Sequence, residues 1–485
     1  MAMHPTRHSL LISFAEKYTL LLLSVGGSMW MARLLTPAEL GVYSVGAVLV
    51  GLGHAVRDFG VGQYLIQEKD LSMEKLRAAL AVSLLVAWLL ATAILLGSGT
   101  LARFYGEPRL GPVLNILSLN FFLIPFSSMT LPCLRRQLRL SAIFAINASN
   151  VLVNLAVALT MAHLGYGYLS LTWAAVAGTA AALLASLYWR PAHLPWLPGW
   201  KGIAPVAAFG ALSTGGGLID EAGVAAPDLI VGKMIDIESV AVLSKAMGVL
   251  GIFQQAITAA ISPVVYPLFA AQSRGGGDPG AAYLTTIAYM TGLAWPFFLF
   301  VGLTASPLVH LLYGAQWHGA VPLIRIMCFS TALYSMFSMA RYLFVACGHV
   351  KAQAQLDAAA TLVRVAAIAL AAPFGLVWVA WAVVAGVLFR CWATYRCLCR
   401  LNGLRAAVLA GAVRKSLILS GITALGPAGV LYVLPWRAQH TLWPLLCSAF
   451  AALLCWVGGV LLLKHEIGAE FVLARHKLCG LAPAK

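Results

Sequence analysis

The chain alternates long apolar runs with short polar or turn-forming segments. The apolar runs predict fourteen helices, each long enough to cross a hydrocarbon core of about 30 Å. They cover approximately residues 10–34, 40–65, 77–97, 110–132, 140–163, 167–189, 203–232, 238–272, 281–312, 320–345, 352–372, 374–395, 411–434 and 441–463. The seventh and eighth runs are longer than one crossing needs, which favours a bend in each. The expected fold class is an all-α polytopic membrane protein with about 14 transmembrane helices.

Composition agrees with this pattern and excludes a water-soluble protein. Of the 485 residues, 61% are hydrophobic and only 10% are charged, whereas soluble domains carry about a quarter charged residues. The first apolar run contains Glu16 and Lys17 and is not followed by a small-residue cleavage site. We therefore expect it to be the first span and not a signal peptide.

The net charge of +16 becomes informative once it is placed on the predicted topology. With a cytoplasmic N-terminus, 20 of the 32 basic residues lie in cytoplasmic segments, five lie in opposite loops and seven lie within spans. The five opposite residues are Arg33, Arg103, Arg109, Lys233 and Arg437. This asymmetry predicts that both termini are cytoplasmic. The basic excess is then a topology signal, and no nucleic-acid partner is expected.

The loops offer little room for catalysis. The longest outward loop has about 12 residues, and no GxxxxGK[ST] motif for phosphate binding occurs. Cys397-Leu-Cys399 lacks the spacing of a zinc site, and the glycine triplets 215–217 and 275–277 are interpreted as bends. We expect no enzyme activity, cofactor or metal, which leaves a transporter, a channel or a flippase.

A short internal repeat suggests how the helices are organised. Residues 36–44 (TPAELGVYS) and 236–244 (DIESVAVLS) align at an offset of 200, which corresponds to six helices. This predicts one six-helix lobe over 1–200, a second over 201–403, and two extra helices with a cytoplasmic tail over 404–485. The Pro- and Trp-rich stretch 189–201 is the expected linker between the lobes.

Several segments carry a family resemblance. Residues 32–44 (ARLLTPAELGVYS), 58–67 (DFGVGQYLIQ), 228–233 (DLIVGK), 240–245 (VAVLSK) and 263–267 (PVVYP) resemble polysaccharide-transport proteins. These are the Wzx-type oligosaccharide flippases of the multidrug/oligosaccharidyl-lipid/polysaccharide exporter superfamily.

The resemblance implies export of undecaprenyl-diphosphate-linked oligosaccharide across the bacterial inner membrane, for O-antigen, exopolysaccharide or capsule. One lobe would rock against the other in alternating access, with a cavity between them. Expected partners are the lipid-linked oligosaccharide and membrane lipid. Two further partners stay open: a coupling ion, either a proton or sodium, and a polysaccharide polymerase. One alternative is a cation-coupled drug antiporter of the same superfamily; another is a membrane-embedded glycosyltransferase or phosphotransferase.

Ionisable residues inside the predicted spans are the candidate site residues. A charge at the bilayer centre costs about 2.5–3.5 kcal/mol on insertion scales, so such groups usually face a partner or a wet cavity. The basic candidates for binding the diphosphate are Lys17, Arg57, Lys245, Arg341 and Arg364.

The alternative for these residues is intramembrane ion pairing, of Arg57 with Glu16 or of Asp357 with Arg364. Arg325 and Arg390, nearer to the predicted helix ends, are expected to snorkel to the interface.

Acidic residues within the spans are candidates for ion coupling. Asp220, Glu221 and Asp228 follow the glycine triplet of the seventh helix, and Asp357 belongs to a polar stripe on the eleventh. Broken helices beside carboxylates form cation sites in transporters. For Asp228 a solvated helix end is the alternative.

Overall fold

A computed structural model describes residues 4–68, 71–434 and 442–468 of the chain, and every regular element in them is helical. The first nine α-helices are α1 (His4–Leu34), α2 (Pro37–Asp58), α3 (Val61–Gln67), α4 (Met73–Tyr105), α5 (Leu110–Leu123), α6 (Thr130–Arg136), α7 (Leu140–His163), α8 (Tyr168–Tyr188) and α9 (Ile203–Met234). The others are α10 (Ile237–Phe253), α11 (Ala259–Arg274), α12 (Pro279–Leu303), α13 (Ala305–Leu312), α14 (Ala320–Ser335), α15 (Ala340–Ala346), α16 (Val350–Ala371), α17 (Leu376–Asn402), α18 (Ala406–Val433) and α19 (Leu442–Leu462).

The all-helical membrane fold is confirmed. In the described part of the chain, 11 helices are long and apolar enough to cross a membrane, or up to 12 if the bent pair α5 and α6 is one span. The predicted apolar runs coincide with helices or pairs of broken helices. The count of 14 crossings itself stays a prediction.

The two segments that define the repeat both begin helices. Thr36 caps α2 in a capping box: its hydroxyl accepts from the Glu39 backbone N–H at 3.3 Å, and the Glu39 carboxylate accepts from the Thr36 N–H at 2.9 Å. At the start of α10, the Asp236 carboxylate accepts from the Ser239 N–H at 2.6 Å. Side-chain oxygens therefore satisfy first-turn donors at both sites.

Interruptions also recur in equivalent helices. The second predicted span breaks between α2 and α3, and the eighth contains a π-turn at Gln254–Thr258. The fourth breaks between α5 and α6, and the tenth between α14 and α15. These parallels support the predicted six-helix repeat, although the lobe boundaries stay a prediction.

The chain divides into two compact units, 1–242 and 243–485. In the first unit α9 packs against α2 and α4, α5 lies against α4 and α8, and α7 runs along α8. In the second, α12 packs against α14 and α18, α16 against α17, and α18 against α19. The first unit thus includes the predicted seventh helix, and the last two helices are part of the second.

The two glycine triplets differ in outcome. Residues 275–277 connect α11 to α12, and Gly276 has φ +71°, so the predicted turn is confirmed. Residues 215–217 lie inside α9, which is continuous over Ile203–Met234, so the predicted break is wrong. Glycine is less favourable than alanine in a helix by only about 1 kcal/mol per residue, so the triplet does not by itself break α9.

Candidate functional site

A polar cavity of about 630 Å³ lies within the first unit, among helices that are otherwise apolar. We call it the N-terminal cavity. Its charged and hydrogen-bonding lining residues are Arg57, Asp58, Gln63, Ser83, Ser127, Ser128, Arg135, Thr214 and Glu221. It therefore combines two guanidinium groups, two carboxylates, an amide and four hydroxyls, a set able to bind a polar, anionic headgroup.

The break between α2 and α3 places Arg57 and Asp58 together on this cavity. Phe59 (φ +36°) and Gly60 (φ +60°) adopt left-handed conformations that end the helix directly after Asp58. Arg57 and Asp58 are thus the last two residues of α2, and both line the cavity.

Arg57 is mostly buried, whereas its ion-pair partner is not. Its Nη2 atom donates to Asp58 Oδ1. The Arg57 side chain is 14% exposed, while that of Asp58 is 72% exposed. The Arg57 Nε atom is buried with no hydrogen-bond partner among the described residues. A ligand oxygen that accepted from this atom would therefore replace no existing contact.

Hydroxyl groups form the facing wall. Ser83 Oγ and Ser128 Oγ lie 3.0 Å apart and form a hydrogen bond between α4 and the α5–α6 break. Thr214 Oγ1, on α9, is buried and has no hydrogen-bond partner within the described chain. The break itself arises at Pro125, which lacks a backbone donor and lies in a 3₁₀ turn over Ile124–Phe126.

Of the candidate coupling carboxylates in α9, the N-terminal cavity includes one. Glu221 lines it. Asp220 is exposed and is not among the lining residues. Asp228 lies two turns further along, half-buried, and its Oδ1 atom has no partner among the described residues. Asp220 and Glu221 therefore differ in their surroundings, because successive helical residues point about 100° apart.

A second, smaller cavity of about 140 Å³ lies within the second unit. We call it the C-terminal cavity. Its polar lining residues are Gln254, Thr258, Tyr334, Ser338, Arg341, Tyr342, Gln353, Arg390 and Thr394. It contains the π-turn and the break between α14 and α15, so both cavities form where helices are interrupted. Its lining includes two arginines and no carboxylate among the described residues.

The ion pair behind this cavity differs from the expected one. Asp357 Oδ1 accepts from Arg390 Nη2, and Asp357 Oδ2 accepts from Gln353 Nε2 at 2.7 Å. Asp357 therefore pairs with Arg390 and not with Arg364, whose side chain packs instead beside Gly386 on α17. Both oxygens of Asp357 are engaged, so this carboxylate is poorly placed to exchange a coupling ion.

The expectation that Arg390 snorkels to the interface is also wrong. The predicted twelfth helix ended near residue 395, which put Arg390 close to its end. The actual helix continues to Asn402, so Arg390 lies near the middle of α17. Its guanidinium also lies 5.5 Å from the Tyr334 ring centre. An arginine at this depth needs a carboxylate or a polar cavity, and it has both.

The remaining basic candidates lie elsewhere. The Lys245 ammonium lies 5.2 Å from the ring centre of Tyr313 and 5.7 Å from that of Trp317, a cation–π arrangement. It does not line either polar cavity. The side chains of Lys17 and Glu16 lie outside the described ones.

Sequence reasoning missed Arg135 and Arg390 as site residues. The predicted fourth span ends at residue 132 and leaves Arg135 outside it, but α6 extends to Arg136 and carries Arg135 onto the N-terminal cavity. Pro125 and Pro132 were the available signals, because two prolines in one apolar run indicate a broken span whose second half re-aims its side chains.

Comparison with known proteins identifies a family that matches more than half of the chain. Residues 30–322 match the family described as polysaccharide biosynthesis protein. The lipopolysaccharide biosynthesis protein WzxC of Escherichia coli (strain K12) is 21% identical over 304 residues, which is 61% of each chain. The succinoglycan biosynthesis transport protein ExoT of Rhizobium meliloti (strain 1021) is 22% identical over 309 residues, 62% of this chain and 61% of ExoT. The matches thus span about three-fifths of these relatives.

Two solved structures share the fold. The lipid II flippase MurJ, in an inward closed conformation, superposes with a TM-score of 0.73 at 13% identity, covering 96% of this chain and all of MurJ. An inward-facing multidrug resistance transporter of the MATE family has a TM-score of 0.62 at 16% identity, covering 78% of this chain and 94% of that one. At such identities the likeness concerns the fold alone.

Proposed function

Because the chain belongs to the polysaccharide biosynthesis protein family, we propose that it is a flippase for a lipid-linked oligosaccharide. It would move undecaprenyl-diphosphate-linked glycan across the bacterial inner membrane by alternating access, for O-antigen, exopolysaccharide or capsule. The names of WzxC and ExoT support a role in glycan export, and the MurJ-like fold suits a lipid-borne substrate. The protein would act as a transporter and not as an enzyme.

The observation that carries this proposal is the presence of arginines on polar cavities inside apolar helices. Arg57 and Arg135 line the N-terminal cavity, and Arg341 and Arg390 line the C-terminal one. Each guanidinium offers a planar fork that matches two phosphate oxygens, and hydrogen bonds of this kind are stronger than neutral ones. A diphosphate bound by these guanidinium groups would offset the cost of placing arginines among membrane-spanning helices.

Among the initial candidates, the contacts favour some over others. Arg57 and Arg341 are the substrate-binding candidates that line cavities. Lys17, Lys245 and Arg364 stay less direct candidates. For ion coupling, Glu221 shares a cavity with Arg57, so protonation or sodium binding there would be sensed by the same site.

The orientation and wider assembly are part of the same proposal. The excess of basic residues in alternate segments supports two cytoplasmic termini. The recurring helix caps and breaks support lobes over 1–200 and 201–403, with the segment 404–485 added to the second. A polysaccharide polymerase on the outer face would consume the delivered glycan.

A deletion strain tests the proposal. Without the protein, lipid-linked glycan should accumulate in the cytoplasmic leaflet, where an impermeant periplasmic glycan-modifying enzyme cannot reach it. Re-expression of the wild-type chain should restore both its accessibility and the surface polysaccharide. Accumulation in the outer leaflet would instead place the protein after the flipping step and would refute the proposal.

The carboxylates of the N-terminal cavity favour a second candidate function, a cation-coupled drug antiporter. Asp58 and Glu221 face the same space as its two arginines, and the fold is shared with a multidrug resistance transporter. A cation-coupled drug antiporter would make the deletion strain more sensitive to cationic compounds while surface glycan stayed normal. The flippase predicts the reverse pair of phenotypes.

A further inference from the structure

A surface groove on the first unit lies outside both polar cavities. It runs along α4 and is closed on one side by the Pro- and Trp-rich stretch 189–201, with a volume of about 820 Å³. Its lining is apolar and aromatic, and includes Leu85, Trp88, Leu96, Trp196 and Trp200. We call it the α4 groove. Because α4 is one of the candidate membrane spans and Leu85, Trp88 and Leu96 are exposed, we expect this groove to face the hydrocarbon of the bilayer.

The stretch that closes the groove is held in one conformation. Arg190 donates from Nη2 to the Pro195 carbonyl at 2.6 Å and from Nη1 to the Phe126 carbonyl at 3.3 Å. The Gly199 N–H donates to the Arg77 carbonyl at 3.0 Å, and Leu194 is buried in the core of the unit. These contacts fix the stretch 189–201 against the first unit, so the wall of the groove is a defined part of the fold.

The dimensions suit a lipid chain. The groove follows α4 from Ala81 to Leu96, which at 1.5 Å per residue is about 22 Å. One leaflet contributes roughly 15 Å of hydrocarbon, half of the bilayer core. The groove is therefore long enough to hold an acyl chain along α4 while the headgroup stays at the end where α4 begins.

Positive charge concentrates at that end. Arg190 lies 4.1 Å from the centre of the Trp196 ring. The stem of Arg77 packs against Gly199, and Lys201 directly follows Trp200. Among the described residues, two carboxylates lie near the same end: Glu74, beside Gly202, and Glu68, which is paired with Lys75. With that pair set aside, three cations face one carboxylate, which favours a negatively charged headgroup over a zwitterionic one.

We propose that the α4 groove is a binding site for an anionic membrane phospholipid, with one acyl chain between α4 and Trp196 and Trp200 and the phosphate near Arg77, Arg190 and Lys201. The site is separate from the transported glycan. A bound lipid would fix the stretch 189–201 on α4, so it would stabilise the first unit in membranes rich in anionic lipid.

Native mass spectrometry of the purified full-length chain tests the affinity. Phosphatidylglycerol should bind more tightly than phosphatidylethanolamine. The double variant Arg77→Gln/Lys201→Gln should lose about fivefold in affinity per removed charge. Arg103→Gln is the matched control, since it removes an exposed cation from the other end of the same helix. An equal loss in both variants, or no preference for phosphatidylglycerol, would overturn the proposal.

Cross-linking of the wild-type protein locates the lipid without relying on a variant. Phosphatidylglycerol with a photoreactive acyl chain should label residues 81–96 and the stretch 189–201. Trp196→Ala should reduce this labelling several-fold. The control variant Trp443→Ala, which removes another exposed tryptophan, should leave it unchanged. Labelling confined to other helices would refute the site. Displacement of the lipid by a polyprenyl diphosphate would show instead that the groove holds the substrate's tail.

Discussion

Replacing Arg57 separates a substrate-binding arginine from a merely ion-paired one. Three variants are needed: Arg57→Ala, Arg57→Lys, and Arg57→Ala combined with Asp58→Asn. If the guanidinium binds the diphosphate, Arg57→Ala should nearly abolish glycan export, and Arg57→Lys should reduce it partly because an ammonium lacks the planar fork. The double variant should be no better than Arg57→Ala.

The magnitudes follow from the exposure of the two side chains. Asp58 is 72% exposed, so losing its partner costs little, and a pair with one exposed member is worth at most about 1 kcal/mol. A hydrogen bond to a charged group contributes about 1.5–3 kcal/mol, which corresponds to about 10- to 150-fold in binding. An export defect well above tenfold at normal protein abundance therefore cannot come from the ion pair alone.

The assay is surface polysaccharide in a deletion strain, divided by the amount of protein in the membrane fraction. Arg325→Ala is the matched control, because Arg325 is another arginine of a membrane span but lines an apolar groove instead of a polar cavity. Full export by Arg57→Ala would remove Arg57 from the substrate path. Recovery in the double variant would show that the arginine only neutralises Asp58.

Three further predictions concern stability, measured as thermal unfolding of the detergent-purified protein. Gly41→Ala should destabilise by about 1–3 kcal/mol, because its Cβ would lie 2.1 Å from a backbone oxygen at the start of α10, whereas Gly51→Ala on the same helix meets nothing within 4 Å and should be tolerated. Asp357→Asn should destabilise by about 3 kcal/mol, the lower end for a buried pair, and adding Arg390→Gln should recover part of it; an unchanged or worse double variant would contradict the pairing. Hydrogen bonds from Arg109 lower the pKa of Glu107 below its usual 4.5. The stability that these bonds contribute is therefore fully present above pH 4.5 and is lost as the pH falls through the lower pKa of the folded state. Glu107→Gln should therefore narrow the stability difference between pH 7 and pH 3, and an unchanged difference would exclude this contribution.

The lengths and positions of the apolar runs were enough to predict the class of fold and most helix boundaries. Lengths of apolar runs report on bilayer thickness, and this constraint is local to each run. The helix start at Thr36 was readable for the same reason, because its capping partner Glu39 is only three residues away. The family resemblance also rested on local motifs, and the family was confirmed.

The sequence predicted part of the site. Arg57 and Glu221 were chosen because charge within an apolar run is costly, and both line the N-terminal cavity. Arg341 was chosen on the same ground and lines the C-terminal cavity. Nothing in the local pattern could say that Arg135 reaches the first of these cavities, since that depends on a 46° bend in the helix pair that carries it.

Which charged side chains meet could be seen only once the helices were packed. Asp357 pairs with Arg390, 33 residues away on α17, and not with Arg364, which shares its own helix. Composition and periodicity give the cost of burying each charge but not the identity of the group that offsets it. For Asp357 that identity depends on how α16 and α17 pack against each other.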